Sequence, residues 1–167
     1  MSMEKSNLEK REQSITIETI TSQDLVDLIY KGESTPQDNR FLPIDEGGVF
    51  KYFHLSDLIG INGRKDKKSY VLSRVGDTVV GLAELEEDPY LEGNLWVKFI
   101  SVDPLYQNKG HGSRLVGAVF EFAKEHGFSL GISRFSDDGG QKLKRVIVDT
   151  AKNTSVTVID EHKQLNQ

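Results

Sequence analysis

A chain of 167 residues, 37% of them hydrophobic, can bury one substantial core but not two independent ones, so a single domain is expected. Without cysteine there is no disulfide, no cysteine nucleophile and no thiolate metal site, and the four histidines, His54, His111, His126 and His162, have no metal-like spacing. The net charge of −5 speaks against nucleic acid or an anionic membrane as partner and suits a cationic amine.

Met1 to Gln13 is charged and polar, without the apolar core of a signal peptide, and no later run approaches the ~18 apolar residues of a membrane span. The expectation is a cytoplasmic protein with a flexible charged segment at 1–13 and one domain at 14–162. Ser14 to Ile20 alternates apolar and polar residues as a half-buried strand does, and Thr21-Ser22-Gln23-Asp24 supplies capping side chains for a helix through Leu25 to Tyr30. From Gly32 to Lys68 prolines and glycines interrupt the pattern, with a short apolar stretch at Val49 to Ile61 that could form a helix. Ser69 to Val75, a turn at Gly76-Asp77, and Thr78 to Leu85 read as a hairpin. A second turn at Pro89 to Asn94 leads into a third strand, Leu95 to Val102, completing an antiparallel meander.

After this meander Leu115, Val116, Val119, Phe120, Phe122 and Ala123 recur at helical spacing, and Gly127 is placed to stop the helix. A strand over Phe128 to Phe135, a helix over Gln141 to Lys152 and a last strand over Ser155 to Asp160 follow. The expected class is α/β (α+β), a mixed, mostly antiparallel sheet with helices on both faces.

Gln107-Asn108-Lys109-Gly110-His111-Gly112 lies between the third meander strand, ending in Ile100-Ser101-Val102-Asp103-Pro104, and the clearest helix of the chain, beginning at Ser113. Backbone N–H groups at the mouth of a helix, with its dipole behind them, bind phosphate, and glycine keeps side chains from holding the ligand away. A Walker loop would need Gly-Lys-Ser/Thr where Gly112-Ser113-Arg114 stands, and a dinucleotide fingerprint would need glycine at Leu115. A plain strand–turn–helix corner, with glycines for close packing, is the remaining alternative.

The pattern Gln-x-x-Gly-x-Gly after a strand and before a helix resembles the signature of the GNAT superfamily of acyl-CoA-dependent N-acyltransferases, most closely over residues 95 to 127. The resemblance implies that the amides from Asn108 to Ser113 wrap the pyrophosphate of acetyl-CoA, the co-substrate, in the loop that Gln107 opens. Lys109 and Arg114 would be charge partners, and the backbone of Ile100, Ser101 and Val102 would pair with the pantetheine arm. His111 holds the variable fifth position, which implies exposure beside the cofactor rather than acid–base work. Members of the family commonly carry Asn-x-x-Ala-x-x-x-Tyr further on, the tyrosine protonating the leaving thiolate; here Ser136 and Leu143 stand at the asparagine and tyrosine positions.

A base is needed to take the amine's proton, and in the family a strand carboxylate often serves. Glu84 and Glu86 continue an otherwise apolar strand face and are the candidates, with Glu87 pointing the other way. The same tract, Glu84 to Asp88, reads equally well as a solvated acidic strand end. The resemblance thus implies acetyl transfer from acetyl-CoA to a primary amine by direct attack on the thioester, the alternative being a CoA-binding or regulatory module of the same fold. The expected partner is a small-molecule or peptide amine, with no nucleic acid, no membrane and no metal; a homodimer is compatible with the sequence.

Overall fold

The computed structural model describes residues 15–31, 67–132 and 140–160. The expected helix at Val49 to Ile61, the terminal segments and Ser136 lie outside them. The described elements are β1 (Ile15–Thr21), α1 (Ser22–Lys31), β2 (Lys68–Val75), β3 (Thr78–Glu87), β4 (Asn94–Val102), α2 (His111–His126), β5 (Ser129–Ile132), α3 (Gly140–Lys152) and β6 (Val158–Asp160). They form a six-stranded sheet in simple order, β1 to β6. The pairs from β1 through β4 are antiparallel, whereas β4–β5 and β5–β6 are parallel, each joined by a crossover helix.

Side-chain chemistry sets the element ends. Thr21 and Asp24 form a capping box at the start of α1: the Thr21 N–H donates to Asp24 Oδ2 at 3.0 Å and the Asp24 N–H to Thr21 Oγ1 at 3.1 Å. These bonds hold the Asp24 carboxyl below its ordinary range, the Thr21 hydroxyl being the largest cause. Gly127 ends α2 in the left-handed region at φ 71°, and the Phe128 N–H reaches back to the Ala123 carbonyl at 2.8 Å. Between β3 and β4 Asp88 accepts from the N–H groups of Tyr90 (2.8 Å) and Leu91 (3.1 Å) and from the Trp96 indole (2.6 Å). The Trp96 ring lies so close to Gly131 that a Cβ there would be 2.6 Å from Cε3, so β5 needs glycine at that point.

α2 supplies the main core. Leu115, Val116, Val119, Phe120 and Ala123 are buried against Val71, Ala83, Leu85, Leu95, Val97, Leu130 and Ile132 of the sheet, with Ile147 of α3 closing the side. Each large apolar side chain buried this way contributes about 1.5–3 kcal/mol. Tyr70, Leu72 and Leu82 are also fully buried but lie outside that cluster, as does Leu25 of α1, which packs on β1 and β2. Helices therefore cover both faces, as the sequence pattern predicts. The last strand is shorter than expected: β5–β6 bonding begins with the Leu130 N–H on the Thr157 carbonyl at 2.8 Å and paired residues begin at Val158, while Val156 turns into the core. Among the described residues no helix is long and apolar enough to cross a membrane.

Candidate active site

A bulge shapes the middle of the sheet. Opposite Glu84 and Leu85, β4 presents Phe99 and Val97, so Lys98 is an inserted residue; Val97 and Ile100, three apart, consequently both face α2. Pairing of β4 with β5 ends at Val97 and Ile132 among the described residues, while β4 continues to Val102. On that side Ile100, Ser101 and Val102 have no strand partner among the described residues. The side chains of Ile100 and Val102 pack against the α2 core.

From the end of β4 the chain turns through a short 3₁₀ segment, Pro104–Tyr106, whose first amides are held by Asp103: the Leu105 N–H donates to its carboxylate at 2.8 Å. The Asp103 N–H donates to the Val80 carbonyl at 2.9 Å, tying the turn to β3. Gln107, the first residue of the motif, folds back and donates through Nε2 to the Val102 carbonyl at 3.0 Å. Its side chain thus fastens the loop to the strand, and Lys109 does likewise, with Nζ 3.0 Å from the Leu105 carbonyl and 5.2 Å from the Tyr106 ring centre.

The loop then delivers an open helix start. Asn108 (φ 60°) and Gly110 (φ 85°) are both left-handed, and Gly110 is the N-cap of α2 with no side chain to satisfy the first turn. The Arg114 N–H is the first to close an intrahelical bond, to the Gly110 carbonyl at 3.1 Å, so the N–H groups of His111, Gly112 and Ser113 have no intrahelical acceptor. The first turn carries no acidic residue. Exposed Lys109 and Arg114 flank it, and Lys142 reaches over from α3 to within 3.4 Å of Asn108 Oδ1. Three donors, the helix dipole and a positive surround form an electropositive cradle that suits an anion.

The two glycines of the motif differ. A Cβ on Gly110 would stand in open space, whereas one on Gly112 would meet Leu143 Cδ1 and Val102 Cγ2, both at 3.9 Å. Gly112 therefore serves the seam between β4, α2 and α3, and Leu143, at the position where tyrosine is usual, lines the same seam. His111 corrects an expectation. Its side chain is not exposed beside the cradle but buried, 2% accessible, with Nδ1 2.9 Å from the Ser73 hydroxyl. Burial, then the charges of Arg114 and Lys109, hold the imidazole below its ordinary pKa.

β3 persists through Glu87, so Glu84 and Glu86 share the face opposite α2. Glu84 is buried beside Tyr70 of β2 and Phe99 of β4, three residues along β3 from the Gly81 partner of Val102, roughly 10 Å at ~3.3 Å per residue. Its carboxylate accepts from Lys68 Nζ at 2.8 Å, both side chains being mostly covered. Glu86 lies 3.9 Å from Lys98, and Glu87 pairs with exposed Lys67 at 2.9 Å. Sequence reasoning missed Ser73, Lys68 and Lys142; only Ser73, a polar residue directly after the run Tyr70-Val71-Leu72, left a signal. Among the described residues no group of acidic and histidine side chains could hold a metal ion.

Solved structures share this fold at low identity. An aminoglycoside acetyltransferase from an uncultured soil metagenomic sample, crystallised with trehalose, is 18% identical over 87% of this chain and 92% of its own, with a TM-score of 0.51. AAC(6′)-Iy, in complex with a bisubstrate analogue, CoA-S-monomethyl-acetylneamine, is 17% identical over 86% and 92%, also at 0.51. The ribosomal-protein-S18-alanine N-acetyltransferase of Escherichia coli is 16% identical over 79% and 75%, at 0.53. No curated protein sequence matches the chain. The sequence model of the acetyltransferase (GNAT) family matches residues 34–138, more than half of the chain, and with the loop and sheet just described it establishes that this protein belongs to the GNAT acetyltransferases.

Proposed function

We propose that this protein transfers an acetyl group from acetyl-CoA to a primary amine on a small molecule or peptide, by direct attack of the amine on the thioester. The observation that carries this reading is the uncapped start of α2, with Gly110 left-handed and the amides of His111, Gly112 and Ser113 without intrahelical acceptors. Acetyl-CoA fits these residues: its diphosphate is the acceptor those amides lack, and Lys109, Arg114 and Lys142 offset its charge. When bound, it supplies the activated acyl group.

The remaining work falls to the chain. The backbone of Ile100 to Val102, beyond the last described β4–β5 pair, holds the pantetheine arm. Glu84 or Glu86 takes the proton that the amine must lose, directly or through water, worth about 10²–10⁴-fold. As the N–C bond forms the C–S bond breaks, and the leaving thiolate is protonated by water, since Leu143 has no proton to give. The chain has no cysteine to carry the acyl group, which favours direct transfer.

Thermal unfolding with acetyl-CoA, CoA, NAD and ATP tests the ligand. At a concentration of 100 Kd a native-state ligand adds about 2.7 kcal/mol, which raises Tm by roughly 5–10 °C for a domain of this size. A response to the CoA species alone is expected; an equal response to ATP, or none to either CoA species, would refute the reading. Turnover is then measured with polyamines, aminoglycosides, amino acids and an alanine-initiated peptide. The engagement of Glu84 by Lys68 and the leucine at 143 favour one competing reading, a CoA-binding module without activity. CoA binding with no turnover on any amine would select it.

A further inference from the structure

Beneath the cradle lies a polar contact that binding of a diphosphate does not require. His111 is the first residue of α2, so its own N–H is one of the open amides, while its side chain points down into the sheet. Nδ1 lies 2.9 Å from Oγ of Ser73, which is fully buried in β2. Tyr106, from the preceding 3₁₀ segment, stands edge-on to the imidazole, with ring centres 5.9 Å apart and planes at 87°. The ring is thus held by a directional bond below and an aromatic edge beside it.

An aliphatic side chain could fill the same space with no polar group to satisfy, and its packing would be non-directional, leaving the first turn of α2 free to settle by sliding or rotating. A hydrogen bond fixes both distance and angle, and burial makes each partner depend on the other, because a lost partner strands a polar group away from water. The other anchors of the loop, Gln107 on the Val102 carbonyl and Lys109 on the Leu105 carbonyl, hold it to β4 and to itself. The His111–Ser73 bond reaches past β3 to β2 and adds a directional contact between the helix start and the centre of the sheet, beside the Asp103–Val80 bond that ties the preceding turn to β3.

We propose that His111 and Ser73 are a positioning pair for acetyl-CoA: their buried hydrogen bond fixes the depth and rotation of the first turn of α2, and with it the placing of the three amides that hold the diphosphate. The inference rests on the reading of this loop as the CoA site. Neither residue touches the reacting atoms, so the pair governs affinity for the co-substrate and not the chemical step.

The test is calorimetric affinity for CoA, with KM and kcat for acetyl-CoA where turnover is measurable, in the full chain and in Ser73→Ala, His111→Leu and His111→Asn. Ser73→Ala removes one oxygen and leaves the packing intact, so it reports on the bond even if His111→Leu folds poorly. In His111→Asn the side-chain amide takes the place of Nδ1. Ser73→Ala and His111→Leu are expected to weaken CoA by about tenfold or more, with KM rising in step and kcat nearly unchanged, while His111→Asn stays within about threefold of the parent. Parent-like affinity in folded Ser73→Ala would overturn the proposal, as would His111→Asn binding as weakly as His111→Leu, which would make the shape of the ring the cause. Failure of the parent protein itself to bind CoA would bring down the reading of the site, and is distinguishable because no variant is needed to see it.

Discussion

The two motif glycines should respond in opposite directions to the same added methyl group. At Gly110 alanine would have to hold φ 85°, with no neighbour within 4 Å, so the backbone term stands alone, about 1–2 kcal/mol of destabilisation. At Gly112 the new Cβ meets Leu143 and Val102 at 3.9 Å, an ordinary contact, inside a helix whose formation alanine favours. The gain there is up to about 1 kcal/mol from helix propensity, with some burial of the methyl besides. The variants should therefore differ by roughly 1–3 kcal/mol, or about 2–12 °C in Tm for a domain of this size. Thermal or urea unfolding without ligand reads this directly, and valine at Gly112, which has no room for its further methyls, should reverse the gain. Equal Tm for Gly110→Ala and Gly112→Ala, or a loss at Gly112→Ala, would refute the separate roles assigned to the two positions.

Two further outcomes concern the carboxylates and the buried histidine. Glu84→Gln or Glu86→Gln should lower kcat by at least about tenfold with CoA affinity intact and partial recovery at higher pH, while Glu87→Gln, at an exposed pair with Lys67, serves as the control; full turnover in all three would reduce the tract to a strand end. Glu84→Gln should also cost about 1–3 kcal/mol of stability because Lys68 loses its charge partner, which a Lys68→Met background would offset. For His111 the native state binds a proton less readily than the unfolded chain, in which histidine titrates near about 6.5, so stability should fall as pH drops below that value and level off below the lowered native pKa. The neighbours of the ring are the Ser73 hydroxyl, the edge of Tyr106 and the cationic Lys109 and Arg114. His111→Asn should flatten this part of the urea-unfolding profile; an unchanged profile would assign the acid loss elsewhere.

Local chemistry written in contiguous residues is legible in the sequence itself. The alternation in β1, the Thr21–Asp24 capping box, the apolar stripe of α2 and its stop at Gly127 each depend on neighbours a few positions apart, and each formed as the pattern required. The uncapped helix start proposed to hold the phosphates belongs to the same class, since a strand, a turn and a helix follow one another directly along the chain. Tertiary structure alone decided what the polar side chains of the site touch. His111, expected to be exposed, is drawn inward to Ser73, 38 positions earlier; Glu84 meets Lys68 across the β2–β3 ladder; and Lys142 arrives from another helix. The inserted Lys98 likewise follows from register between strands, a property of the pair and not of either strand. Hydrogen bonds and charges act over a few ångströms of space, and the sequence orders residues only along the chain.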